Sequence, residues 1–166
     1  MKLLSKLSAP LIIILLLQVT ACTLTQKKET SIEGNYELTE RVLADGTVQR
    51  PPEIKGLYVQ FQGRINFNLF MKKKDGTMAS ESTIGHYTFS NDQYCEWIDY
   101  TIRNNLDSAG VTYNAPAVTN HCATVTHTQD GFSYSPPGEG VDVIYTPDGF
   151  TAKIAGEFVD HWKKIQ

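Results

Sequence analysis

The sequence predicts an all-β domain, an antiparallel sandwich or barrel, and three observations lead there. Turn signals recur along the chain, at Asp45-Gly46, Gln62-Gly63, Asp75-Gly76, Asn91-Asp92, Asp130-Gly131 and Pro147-Asp148-Gly149. Between them lie short runs in which apolar and polar residues alternate, the period of a half-buried strand. No segment carries a sustained helical stripe with caps.

The first residues stand apart from this pattern. Met1 to Lys6 contain two lysines and no acid, and an apolar run follows, dense from Leu11 to Leu17. That run is too short for a bilayer, which needs about 20 apolar residues, but it has the length and flanks of an export signal. Immediately after it stands Val19-Thr20-Ala21-Cys22. This resembles the lipobox of bacterial lipoprotein signal peptides, in which an aliphatic, a small residue and Ala or Gly precede the lipidated cysteine. The resemblance implies a signal peptide over 1–21, cleavage before Cys22, palmitate and other acyl groups on that cysteine, and attachment to a membrane through them. Thr23 follows the cysteine, and in lipoproteins similar to those of enteric bacteria a residue other than Asp there implies sorting to the outer membrane. Thr23 to Ser31 is polar and aperiodic, so residues 22–33 are expected to form a lipidated flexible tether in the cell envelope, and 34–166 the folded domain.

Charge and cysteines narrow the partners. The leader takes two of the 15 basic residues and none of the 18 acidic ones, leaving a mature charge of −5. Such a domain has no electrostatic footprint for nucleic acid. The one basic run, Lys72-Lys73-Lys74, abuts Asp75-Gly76 and reads as a solvated hairpin tip. With Cys22 assigned to lipid, Cys95 and Cys122 are an even pair in an exported chain and are read as a disulfide.

The strands can be taken in order. The first puts Tyr36, Leu38, Glu40 and Val42 on one parity. Next, Leu57, Val59, Phe61, Ile65, Phe67, Leu69 and Met71 share a parity, opposite Tyr58, Gln60, Gln62, Arg64, Asn66 and Asn68. One strand bent at Gly63 satisfies this, and so does a hairpin with a three-residue loop pairing Val59 with Ile65. A two-residue Gln62-Gly63 loop would put the two arms' apolar sets on opposite faces; the three-residue loop is preferred. In the following hairpin, Asn91-Asp92 as a two-residue turn pairs Phe89 with Tyr94. Tyr87, Phe89, Tyr94, Glu96, Ile98, Tyr100 and Ile102 then share a face, with Cys95 and Trp97 on the other. From Cys122 on, Ala123, Val125 and His127 lie opposite the cysteine. Any single bulge would invert such an assignment.

Gly34-Asn35-Tyr36-Glu37-Leu38, the Asp45-Gly46 turn, Gly56-Leu57-Tyr58 and Gly85-His86-Tyr87-Thr88-Phe89 resemble the spaced Gly and aromatic residues of bacterial lipocalin-like domains. An aromatic-rich final strand, Phe158 to Ile165 around Trp162, is weakly similar too. Two features depart from the family: Tyr36 stands where many members have Trp, and Asn104 to Asn120 has no counterpart. The resemblance implies an antiparallel up-and-down β-barrel or calyx of about eight strands. Such an interior is either filled by side chains or holds one small ligand. The long segment Arg103 to His121, with Gly110 and Pro116, favours a binding loop and hence a pocket. The function expected is noncatalytic binding of a small apolar or amphipathic ligand, with Tyr36, Glu40, Val59, Ile65, Phe67, Leu69, Tyr87, Phe89, Glu96, Tyr100 and His127 as the ligand-facing set. The alternative is a structural module with a filled core that docks an envelope protein. A third reading is isomerase- or lyase-type chemistry, in which Glu40, Glu96 and His127 would share a proton at the barrel mouth. The four histidines are scattered without metal-ligand spacing, so no metal or cofactor is expected.

The lipobox reading makes a direct prediction. Intact-mass measurement of the purified protein should give a chain beginning at Cys22 and carrying acyl groups, and Cys22→Ser should leave the precursor uncleaved. A mature chain with another N-terminus and no acyl mass rules the anchor out.

Overall fold

The computed structural model describes residues 31–73, 75–106, 109–115, 121–136 and 140–165. The leader, Cys22 and the tether up to residue 30 lie outside them. The described residues form thirteen strands: β1 (Gly34–Leu43), β2 (Val48–Gln49), β3 (Ile54–Phe61), β4 (Arg64–Lys72), β5 (Met78–Phe89), β6 (Gln93–Asn104), β7 (Val111–Asn114), β8 (His121–Thr124), β9 (Thr126–His127), β10 (Phe132–Tyr134), β11 (Val141–Thr146), β12 (Gly149–Ile154) and β13 (Phe158–Ile165). All belong to one antiparallel sheet, in the order β7-β6-β5-β4-β3-β1-β13-β12-β11-β10-β9, with β2 on β1 and β8 on β6. The expected count of about eight is thereby corrected. Part of the excess comes from 111–127, where β7 and β8 both pair β6 and β9 pairs β10. The segment read as a long loop also contains β7, which sets Tyr113 beside Ile102.

The β3–β4 hairpin corrects a second expectation. Phe61 pairs Arg64 and Gln60 pairs Ile65, so the turn has two residues. Gln62 and Gly63 both have positive φ, 48° and 73°, the type I′ geometry whose twist suits a tight hairpin. Neighbours hold it there: the Gln62 N–H donates to the Glu33 carboxylate at 3.0 Å, and the Tyr87 N–H donates to the Gly63 carbonyl at 2.9 Å. The two arms therefore present opposite parities. Ile65, Phe67, Leu69 and Met71 of β4 face the interior with Ile54, Tyr58 and Gln60 of β3, while Leu57 and Phe61 are exposed and Val59 shares their outer parity. Gly56 also lies on the inner parity, where a Cβ would collide with the Trp162 ring.

The Asn91-Asp92 hairpin has the expected register, Phe89 opposite Tyr94 and Tyr87 opposite Glu96. Cys95 faces Cys122 across β6 and β8, and the two form a disulfide. Further along, the ladder shifts between Ile84 and Gly85, so that Ile84 meets Tyr100 and Gly85 meets Ile98. Asp99 is the extra residue of this bulge. Beyond it Thr101 is buried, its hydroxyl 2.9 Å from that of Thr83, and Tyr100 is turned outward, against expectation. A second bulge lies in β1, where Leu38 pairs Trp162 but Glu40 pairs His161. Tyr36 and Leu38 face inward as expected. Past the bulge Glu40 faces outward and binds Arg50 at 2.6 Å, and Arg41 points in.

Inside, aromatic rings stack in a column. Phe132 lies on Tyr145, Tyr145 on Phe150 and Phe150 on Trp162, with centroids 4.9, 4.9 and 5.5 Å apart. Tyr36 meets Tyr145 and Phe150 edge-on. Each such contact adds about 0.5–1.5 kcal/mol to the burial of the rings.

The turn geometry can be checked. Gly63→Ala puts a Cβ 3.2 Å from the Tyr87 carbonyl at a φ that L side chains rarely adopt, and should lower stability in urea by about 1–2 kcal/mol. A wild-type midpoint would contradict the two-residue turn.

Candidate ligand-binding cavity

The inner face encloses a cavity of about 580 Å³. One wall is aromatic: Tyr145, Phe150 and Trp162 of the column line the space together with Tyr58 and Phe67. Aliphatic groups of β4, β11 and β12, among them Ile65, Leu69 and Val143, complete the apolar lining. Beyond the column the cavity reaches Leu106, Pro136 and Phe158, at the end of the sheet where β6 and β10 finish and β13 begins.

Two ion pairs are set into the upper wall. Arg41 donates from Nε and Nη2 to the two carboxylate oxygens of Asp160, at 2.6 and 2.7 Å. Both residues are buried, and the guanidinium also lies 3.8 Å above the Phe158 ring. A bidentate arginine–carboxylate pair fixes both side chains in one plane. Burial raises the Asp160 carboxyl above the usual carboxylate range, and the bonds and charge of Arg41 pull it the other way. Across the cavity Arg103 of β6 binds Glu81 of β5, with nitrogen–oxygen distances of 3.2 and 3.3 Å.

The cavity floor is polar in a different way. Glu96 is buried, and its carboxylate accepts a hydrogen bond from the Tyr94 hydroxyl. Tyr134 stacks on Tyr94 at 4.2 Å, and its ring also lies 6.1 Å from that of Tyr145. Tyr145 in turn donates to the Gln60 amide oxygen. Burial pushes the phenols of Tyr94, Tyr134 and Tyr145 far above the ordinary tyrosine range, so all three stay neutral donors and acceptors.

Of the ligand-facing set expected from the sequence, Ile65, Phe67, Leu69 and Glu96 line this cavity. Tyr36, Tyr87 and Phe89 face inward without lining it. Tyr36 is buried beneath it with its hydroxyl donating to the Ile32 carbonyl at 2.9 Å. Tyr87 packs beside Tyr94, and burial, then the Glu33 charge, pushes its phenol up to about 12. Phe89 packs against Phe132. Glu40, Val59 and Tyr100 are on the outer parity, for the bulge and turn reasons given above. His127 shares the parity of Ala123 and Val125 but stands exposed at a strand end, its Nε2 2.7 Å from the Asn91 carbonyl. Glu40, Glu96 and His127 are thus on the outer face, in the cavity and at an exposed strand end, and the structure does not assemble them as a proton-sharing trio. Arg41, Arg103, Glu81 and Asp160 were missed. Asp160 carried a readable signal: Phe158, Asp160 and Trp162 share one parity, and a charge on an apolar parity asks for a buried partner.

Comparison with known proteins gives one structural likeness to report. A lipocalin-like protein from Bacteroides uniformis is 15% identical, with 80% of this chain and 97% of that chain covered and a TM-score of 0.37. No protein-family model matches the sequence, and no curated protein does.

The Arg41–Asp160 pair yields a prediction with a definite pH sign. Arg41→Met takes away the bidentate partner of a buried carboxylate and should cost about 3–5 kcal/mol at neutral pH. The folded-state pKa of Asp160 already lies above its unfolded value, so its contribution to stability is full below the unfolded pKa and is lost as pH rises through the folded one. Removing Arg41 raises the folded value further. The deficit of the variant relative to wild type should therefore grow from acidic to neutral pH in urea titrations; a deficit independent of pH would refute this account.

Proposed function

We propose that the protein is a lipid-anchored lipoprotein of the bacterial cell envelope whose lipocalin-like barrel binds a small amphipathic molecule without catalysis. Each strand from β4 to β6 and from β10 to β13 pairs its predecessor, and β13 pairs β1. In this reading 111–127 is the seam, with β8 on β6 and β9 on β10 separated by Val125 alone, and the sheet wraps into a calyx. The observation that carries the binding function is the cavity itself. About 580 Å³ of mainly apolar space with a few fixed polar groups is the form of a small-molecule site, typically about 300–1,000 Å³. A core built only for stability would be filled to crystal-like density. Attachment rests on the Cys22 lipobox, and placement in the outer membrane on Thr23.

A second reading draws on the outer face. Tyr113, Val111 and Tyr100 lie close together on β6 and β7, and Tyr113 is 77% exposed. Such a group suits docking of another envelope protein.

Filling the cavity separates the two. Ala152 lines it from β12 and is paired with Asp160 and Val143 on either side. Ala152→Phe should weaken binding of an apolar fluorophore at least tenfold, with Ala152→Leu intermediate and the Trp162 emission of both variants still native-like. Undiminished binding in both variants would show that the site is elsewhere.

A further inference from the structure

Where β6 finishes and β13 begins, the cavity is walled by charges that are already matched. Arg41 is bonded to Asp160 through Nε and Nη2, and Arg103 is held in the same two-pronged way by Glu81. Both pairs line the space. The hydroxyls of Thr83 and Thr101 lie 2.9 Å apart, Thr83 also reaches Glu81 at 3.5 Å, and both threonines belong to the same lining. A charged head placed here either stays uncompensated or has to open a pair. Opening the buried Arg41–Asp160 pair strands a charge away from water. An uncharged head does neither. A bidentate bond uses two of the five N–H groups of a guanidinium and two of about four lone-pair sites of a carboxylate. The wall therefore offers donors, acceptors and hydroxyls side by side. A hydroxyl both donates and accepts, so a head carrying several of them can match such a mixed surface.

From this we propose that the cavity takes an uncharged amphiphile with a hydroxyl-rich head of the glycoside type, the head lying between the two ion pairs and the apolar body along Phe67, Phe150 and Trp162. The proposal rests on the cavity being a ligand site and names the class of ligand. Fatty acids and alkylammonium compounds carry the wrong head for this end, because the two arginines and the two acids there are already engaged with one another.

The test uses four probes with one apolar body and different heads, kept below micelle-forming concentrations: octyl glucoside, octanol, octanoate and octyltrimethylammonium. Their binding to the purified protein, stripped of bound apolar molecules, is followed by Trp162 emission near neutral pH, with Trp97→Phe removing the other tryptophan's signal. Octyl glucoside is expected to bind at least tenfold tighter than octanol, and both ions more weakly than octanol. Glu81→Gln leaves Arg103 without its acid and should raise the octanoate-to-octanol affinity ratio several-fold. Arg103→Met leaves Glu81 without its base and should raise the octyltrimethylammonium-to-octanol ratio instead. The double variant should return both ratios to near their wild-type values, and Thr101→Val should narrow the glucoside's advantage over octanol. Either ion binding as tightly as the glucoside overturns the proposal, and so do ratios that neither single variant moves. Equal binding of glucoside and octanol sinks the hydroxyl-rich head and leaves the cavity as a ligand site. Binding of none sinks both readings.

Discussion

A strand shows its side chains alternately to the two faces of a sheet, so the interior of this domain depends on where that alternation holds and where it is reset. In β4, β11 and β13 it runs unbroken, and the inward residues are apolar or aromatic apart from Asp160 and, near the end of β13, the half-buried Lys164. In β1 and β6 a bulge adds one residue, and the parity beyond it is exchanged. Both exchanges turn polar side chains inward at the same end of the sheet, Arg41 on β1 and Thr101 and Arg103 on β6. The cavity is aromatic at one end and ionic at the other because two strands each carry one extra residue.

An unfilled space of this size forfeits packing that a solid core would gain. Several features offset that loss. The stacked rings from Phe132 to Trp162 make a rigid floor, and Gly56 lets Trp162 lie flat against β3. The Arg41–Asp160 pair holds the first and last strands at a fixed separation above it. A buried ion pair is a poor source of net stability, but a bidentate one is geometrically exacting.

The sequence made the all-β class legible, along with most turns, the Cys95–Cys122 pairing and the final strand. Its failures share one physical origin. Hydrophobic alternation reports parity only relative to a neighbour, and that reference is lost at a bulge or at a turn of uncertain length. Glu40 and Tyr100 were misplaced by bulges. Val59 and Tyr58 were exchanged because Gln62 adopts a positive φ more typical of Asn, Asp or Gly, so the two-residue turn left little trace. Glu96 was placed correctly because its hairpin has an unambiguous Asn-Asp turn and no bulge intervenes before it. Of the missed residues, Asp160 was detectable from parity alone. Its partner Arg41 was not, since nothing local marks Thr39 as the extra residue of a bulge.

The ladder between β1 and β13 also bears on the order in which the domain is put together. Hairpins such as β3–β4 and β5–β6 join residues close in the chain and can form early. Arg41 and Asp160 are 119 residues apart, and β1 must wait with one edge without its final neighbour until the last eight-residue strand arrives. Contacts of such long range are slow to form, and a waiting strand edge invites pairing with other chains. Assembly is therefore committed late: a chain stopped before Phe158 would possess nearly every strand and still lack the one that fixes the width of its interior.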